Sequence, residues 1–229
     1  MPFQIQIKLN EKLFLRNPEQ SDLGRNIISN SIILINELGF EEFTFKKLAQ
    51  AINSTEASIY RYFENKHKLL VYLISWYYAW IEYQMDYKTN NIIDPEEKLK
   101  IIIKIISESY KEDPNITHID ESMLYNIVVA ESAKAYLTKN VDQENKDGYF
   151  RSYKTLSKKI ASLIQEVNSA YPYPNSLAST IIESAREQIF FCQHLPSLSD
   201  IKQADNNNNN LLVHDFLEHL VFSILHSKK

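Results

Sequence analysis

The sequence predicts an all-α protein, and three observations carry that prediction. Only Gly24, Gly39 and Gly148 are glycine among 229 residues, too few for a sheet protein built on tight hairpins. Apolar residues recur at steps of three and four along most of the chain, as helices with one buried face require. Between those runs stand residues that start or stop helices, among them Thr44, Thr55, Asn65, Pro95 and the YPYP of 171–174. A hydrophobic content of 44% over this length supports a substantial core, as one large or two small domains.

Residues 3–9, FQIQIKL, are the exception: they alternate apolar and polar and read as a short strand-like arm. A lone strand is unstable, so the arm either docks on the body, pairs with another copy, or touches DNA through Lys8, Lys12 and Arg16. After Pro18 a helix runs from about Asp22 to Leu38, with Ile27, Ile28, Ile32, Leu34, Ile35 and Leu38 inward and Gly39 as its stop.

The next stretch, TFKKLAQAINSTEASIYRYFENKHKLL from Thr44 to Leu70, has helix-turn-helix spacing. Thr44 is an N-cap for a helix to about residue 52, with Phe45, Leu48, Ala49 and Ile52 on one face. Asn53 tolerates the left-handed backbone of a sharp turn, and Thr55 caps a second helix, 56–63. In such a unit the second helix enters the major groove of DNA, its first residues meeting base edges. Glu56, Ala57 and Ser58 stand at its start, followed by Tyr60, Arg61 and Tyr62, while Ile59 and Phe63 anchor it inward. Thr44, Lys46 and Lys66 are candidates for the phosphates, Lys66 because it opens the following helix. Arg25, Lys46, Lys47, Arg61, Lys66 and Lys68 form the candidate basic patch.

SIYRYFENKHKLL, preceded by FTFKKLAQAINST, resembles the DNA-binding signature of the TetR family of bacterial transcriptional repressors, over roughly residues 20–75. The residues that carry the likeness are Thr44, Tyr60, Phe63, Asn65 and Lys66. Asn53 stands where the family usually has glycine, Ala57 replaces a glycine, and Tyr62 holds a position that is often histidine. Glu56 departs most, since a carboxylate near phosphates costs affinity unless it accepts from a cytosine amino group or pairs with a cation such as Arg61. The resemblance implies a domain order of arm (1–20), DNA-binding unit (21–70), and effector-binding and dimerisation domain (71–229). It also implies a fourth helix that links the two functions.

That fourth helix reads from Lys66 to about Tyr87 and is strongly aromatic. Trp76, Trp80, Tyr83 and Tyr87 share a face, as a core stripe or as the wall of a ligand pocket. Trp80, Tyr83, Tyr87, Tyr125 and Tyr153 are the candidate ligand-binding rings. Further helices read from about Pro95 to Lys111, Asp120 to Thr138 and Asp147 to Ala170. Two apolar helices, about Ser176 to His194 and Leu211 to Ser227, close the chain around the asparagine run that ends at Asn210, which reads as loop. Their apolar residues exceed what one subunit covers. Ile182, Ile189, Phe216, Leu220 and Ile224 are therefore candidates for a four-helix dimer interface.

The formal net charge is −4, but residues 1–70 carry +1 and residues 71–229 carry −5, so the basic character lies with the DNA-binding unit. No catalytic or cofactor motif appears. His214, His219 and His226 stand at steps of five and seven, which does not put the first two on one face, and Cys192 and His194 point apart on a helix. The single cysteine excludes an internal disulfide, and the absence of a basic start followed by an apolar run makes the expectation cytoplasmic, with no membrane partner. Three readings stand open. One is a dimeric repressor on a double-stranded operator, released by a small, largely apolar ligand. The second is a DNA-binding regulator with a filled pocket, controlled by a protein partner. The third is a helical interaction module or enzyme without DNA binding.

Overall fold

The computed structural model describes residues 7–108, 118–201 and 209–227, with side chains of the last stretch from residue 212. Its helices are α1 Asp22–Glu42, α2 Phe45–Ala51, α3 Glu56–Tyr60, α4 Lys66–Thr89, α5 Pro95–Ser107 and α6 Glu121–Glu131. The rest are α7 Ala133–Tyr136, α8 Val141–Lys146, α9 Arg151–Val167, α10 Pro174–His194 and α11 Asn209–Leu225. Among the described residues there is no strand. Residues 3–6 of the arm lie outside the described residues, and Ile7 to Leu9 have no regular structure.

Two compact units divide the chain. The first comprises residues 1–79 and 110–152, and the second comprises residues 80–109 and 153–229. Helix α4 begins in the first and ends in the second.

In the first unit α1 packs against α6, burying Ile27, Ile28, Ile32 and Ile35 with Leu124, Ile127 and Val128. Leu38, at the edge of that face and next to a break at Gly39, is instead 40% exposed. Gly39 has φ 78°, ψ 159°, a left-handed extended conformation that favours glycine. The break is followed by a turn in which Phe43 N–H donates to the Gly39 carbonyl at 3.2 Å.

Residues 10–15, at the end of the arm, dock on this unit. Leu13 is fully buried, Leu15 N–H donates to the Tyr62 carbonyl at 2.8 Å, and Asn10 Nδ2 donates to the Asp147 carbonyl at 2.8 Å. Lys12 Nζ completes the tether with Asp147 Oδ1 at 2.6 Å.

The single helix expected over 120–138 is two: the winding tightens at Ser132, where Ala135 N–H reaches the Ser132 carbonyl at 3.0 Å, and the one-turn α7 ends at Leu137, whose ψ of 59° leaves the helical region. Helix α8 occupies a stretch that carries no clear periodicity. The start of α9 moves from 147 to Arg151 because Gly148 has φ 80°.

In the second unit α5, α10 and α11 pack pairwise, around Leu99, Ile103, Ile181, Val213, Leu217 and Val221. The side chain of Asn168 closes the end of α9 onto α11 by donating to the Leu225 carbonyl at 2.8 Å. Helix α11 starts at Asn209, so the last two residues of the asparagine run are helical rather than loop; 205–208 lie outside the described residues. Among the described residues no helix is long and apolar enough to cross a membrane.

Candidate nucleic-acid interface

Helices α2 and α3 are built by their caps. Thr44 Oγ1 accepts from Lys47 N–H at 3.2 Å, and Thr55 Oγ1 accepts from Ser58 N–H at 3.2 Å. Each hydroxyl satisfies an amide that has no partner inside its own helix. Between the two helices Asn53 takes φ 51°, the left-handed turn expected of it.

The inner side of α3 is closed. Ile59 and Phe63 are fully buried and Leu48 of α2 is fully buried with them. The outer side is open: Thr55, Glu56, Ala57, Tyr60 and Arg61 are exposed and Ser58 is half-buried. Tyr60, 48% exposed, is held edge-on by the Phe45 ring at 5.0 Å, which fixes its direction without covering it. Thr44 and Lys46, on α2, are exposed as well.

Two of the nominated residues sit elsewhere. Tyr62 is 2% exposed; its hydroxyl shares a 2.7 Å hydrogen bond with Ser21 Oγ, and Arg16 lies over its ring at 5.4 Å. It is a core residue because α3 tightens after Tyr60, Tyr62 N–H reaching the Ile59 carbonyl at 2.8 Å, which turns the ring inward. Lys66 is the second correction. Its ammonium donates to the carbonyls of Phe40 at 3.0 Å, Glu41 at 2.9 Å and Phe43 at 3.1 Å, and it lies 4.8 Å from the centre of the Phe40 ring. All three of its donors are spent on the connector between α1 and α2.

The rest of the basic patch is similarly reduced. Arg25 donates to the Glu19 carbonyl and the Asp22 carboxylate, Lys47 to the Glu42 carbonyl at 2.7 Å, and Lys68 pairs with Glu64 at 2.6 Å. Burial works against the charge of Lys68, but hydrogen bonds to Glu64 and Tyr149 outweigh it and raise its pKa. Lys46 and Arg61 remain as exposed cations of the patch.

The candidate ligand rings divide between the two units. In the second, Trp80, Tyr83 and Tyr87 form a stacked ladder, with centroids 5.4 Å and 6.3 Å apart and planes within 15° and 14°. Only Trp80 is buried; Tyr83 is 37% and Tyr87 72% exposed. Tyr153 donates to Glu183 Oε1 at 2.8 Å. Tyr125 belongs to the first unit, is 5% exposed, and its hydroxyl has no hydrogen-bond partner; burial raises its pKa. A groove of about 570 Å³ between α5 and α11 does not coincide with these rings and is lined by polar groups such as Glu96, Lys100, Glu218 and His219.

Of the candidate interface residues, Ile182 and Ile189 are 4% and 3% exposed, already spent on the core of their own subunit. Phe216 is 40% exposed, and Leu220 and Ile224 are half-buried. With Leu212, 41% exposed, they form a stripe on α11 about 100° round the helix from Val213, Leu217 and Val221. Among the described residues no group of three or more His, Cys, Asp or Glu could hold a metal ion.

Sequence reasoning missed Glu131, Lys134 and the tether of the arm to Asp147. The one available signal was Gly39, read as the stop of the first helix, which announces a break but not what grips it.

A sequence profile described as "Bacterial regulatory proteins, tetR family" matches residues 27–73. No curated protein matched the chain. Solved structures share the fold. FadR of Bacillus subtilis in complex with stearoyl-CoA is 18% identical with TM-score 0.62, over 86% of this chain and 96% of that one. A TetR-family transcriptional regulator of Pectobacterium atrosepticum is 17% identical with TM-score 0.60, over 93% of this chain and all of the other. AibR in complex with isovaleryl coenzyme A and operator DNA is 15% identical with TM-score 0.59, over 86% and 98%.

Proposed function

We propose, from a tetR-family DNA-binding region at residues 27–73 set in an all-helical fold shared with that family's regulators, that this chain is a dimeric, sequence-specific repressor. The observation that carries the reading is the division of α3 into a sealed inner side and an open outer one. Ile59 and Phe63 are fully buried while Glu56, Ala57, Tyr60 and Arg61 face out, the arrangement a helix needs to enter a major groove. Lys46 and Arg61 supply phosphate attraction, the free amides of the α3 N-terminus add to it, and Glu56 and Ser58 select bases. Lys66 is not assigned to phosphate.

A two-fold operator requires a two-fold protein, and the uncovered stripe of Leu212, Phe216, Leu220 and Ile224 is the surface on which two copies meet. The effector is small and largely apolar. Two neighbours in fold carry acyl-CoA ligands, which makes an acyl chain the first class to try, and the unpartnered Tyr125 hydroxyl offers a polar atom for it to satisfy. For release, the effector must favour the non-binding state by about 2.7 kcal/mol to lower DNA affinity a hundredfold.

The test is fluorescence anisotropy of the purified protein on duplex DNA from upstream of its own gene, against a scrambled duplex, over a range of salt. Tight binding to the first with a steep salt dependence is the expected result; equal, salt-insensitive binding to both removes the reading.

A further inference from the structure

The connector Gly39–Phe43, which includes the last turn of α1 beyond its break, is held by a buried carboxylate on one side and a half-buried ammonium on the other. On one side, the Gly39 break turns the Phe40 N–H out of α1, and Glu131 of α6 accepts it at 3.0 Å through Oε1. Glu131 is only 8% exposed, and its Oε2 lies 2.8 Å from Lys134 Nζ, which also reaches Glu41 at 3.0 Å. On the other side, Lys66 of α4 holds the carbonyls of Phe40, Glu41 and Phe43. The same few residues thus have their amide held by an anion from α6 and their carbonyls by a cation from α4.

A carboxylate buried to stabilise a core alone is a poor device, since an apolar side chain of similar size does as well. A charged hydrogen bond to one particular amide does something an apolar contact does not: it fixes direction. The connector runs straight into Thr44, the N-cap of α2, and α2 packs on α3. A small rotation of the connector is therefore carried to the reading face as a displacement of Glu56, Tyr60 and Arg61.

We infer that Glu131 is a positioning residue for DNA recognition, setting with Lys66 the direction in which the helix-turn-helix presents α3, and hence the half-site spacing a dimer accepts. This rests on the proposed function and names the residue of the body that holds the reading unit.

The experiment starts from a duplex that the wild-type protein selects from a random-sequence library. Affinity is then measured on that duplex and on two others, with the half-sites one base pair closer and one base pair further apart. Glu131→Ala is expected to lose about tenfold on the selected duplex while the preference over the shifted duplexes flattens. Glu131→Gln keeps an acceptor for Phe40 N–H and is expected to restore the wild-type ranking. Hydrogen exchange gives a readout without DNA: protection of the Phe40 amide is lost in the alanine variant and kept in the glutamine one.

Lys134→Ala, on a side chain 40% exposed, is the second variant and is expected to move the ranking in the same direction by about threefold. A wild-type ranking in every variant that folds overturns the inference, including the case where Phe40 loses protection and DNA ranking does not change. A wild-type protein that selects no duplex overturns the proposed function instead, and the inference with it.

Discussion

Lys66 shows how a residue can occupy the right place in a signature and perform a different task. Its ammonium closes three main-chain carbonyls, and each hydrogen bond to a charged group contributes about 1.5–3 kcal/mol when the alternative is an unsatisfied group. The Glu41 carbonyl is exposed and turns to water, so the part-buried carbonyls of Phe40 and Phe43 set the cost, and Lys66→Ala should lower stability by about 3 kcal/mol, read as a shift of the urea midpoint at unchanged slope. Arg61→Ala should leave stability within about 0.5 kcal/mol and, with one Arg61 lost from each of two copies, reduce the salt slope of DNA binding by about two units. Asp147 allows a third prediction at this scale. Its pKa is lowered, first by the hydrogen bond from Lys12 and then by that from Gln143. The folded value lies below the unfolded one, so the stabilisation is complete above about pH 4 and is lost as pH falls through the lowered value. In Lys12→Ala the Asp147 carboxyl should titrate closer to the ordinary range, as followed by its NMR chemical shift.

At the scale of elements, α3 is too short to stand by intrinsic preference. A five-residue helix, Glu56–Tyr60, makes too few internal hydrogen bonds to offset its nucleation. It exists because Thr55 caps it and because Ile59 and Phe63 are buried beneath it. Thr55→Ala should cost about 1 kcal/mol of stability, and it should weaken DNA binding beyond what the lost stability explains, since the capping side chain also steadies the reading face. The connector before α2 is equally local in cause. Gly39→Ala meets no steric obstacle at its Cβ, the nearest contact being Glu131 Oε1 at 3.7 Å, yet the left-handed φ should cost about 1–2 kcal/mol in a thermal melt.

For the whole molecule the decisive quantities are charge and self-association. In the proposed function each copy brings Lys46 and Arg61 as exposed cations, so two copies neutralise about four phosphates through these side chains and log affinity should fall against log salt with a slope of about −4. That is shallow for a repressor and leaves more of the discrimination to base contacts and half-site spacing. In the proposed function the α11 stripe is the dimer surface. Phe216→Glu leaves the subunit core of Val213, Leu217 and Val221 intact and should give a folded monomer by sedimentation, with operator affinity reduced at least about a hundredfold by loss of the second half-site.

Periodicity, caps and turn residues, all of them local, were enough to read the all-helical fold, the placement of α1 to α4, the caps at Thr44 and Thr55, and the left-handed turn at Asn53. Each follows from how a side chain acts on its own backbone within one or two turns. The split of the 120–138 helix at Ser132 and the appearance of α8 were not legible, because at the first the backbone stays right-handed helical and only tightens, Ala135 N–H reaching the Ser132 carbonyl at 3.0 Å, and the second has no apolar stripe. The sequence by itself thus determined which segments form the helix-turn-helix and most of the helices around it. Only the tertiary structure decided what the charges are for: that Lys66 holds a connector rather than a phosphate, that Tyr62 is core, that Ile182 and Ile189 are spent within one subunit, and that Glu131 grips Phe40. The physical reason is range. A cap acts across three residues, whereas the Phe40–Glu131 hydrogen bond spans 91 residues, and no spacing in the chain announces a partner at that distance.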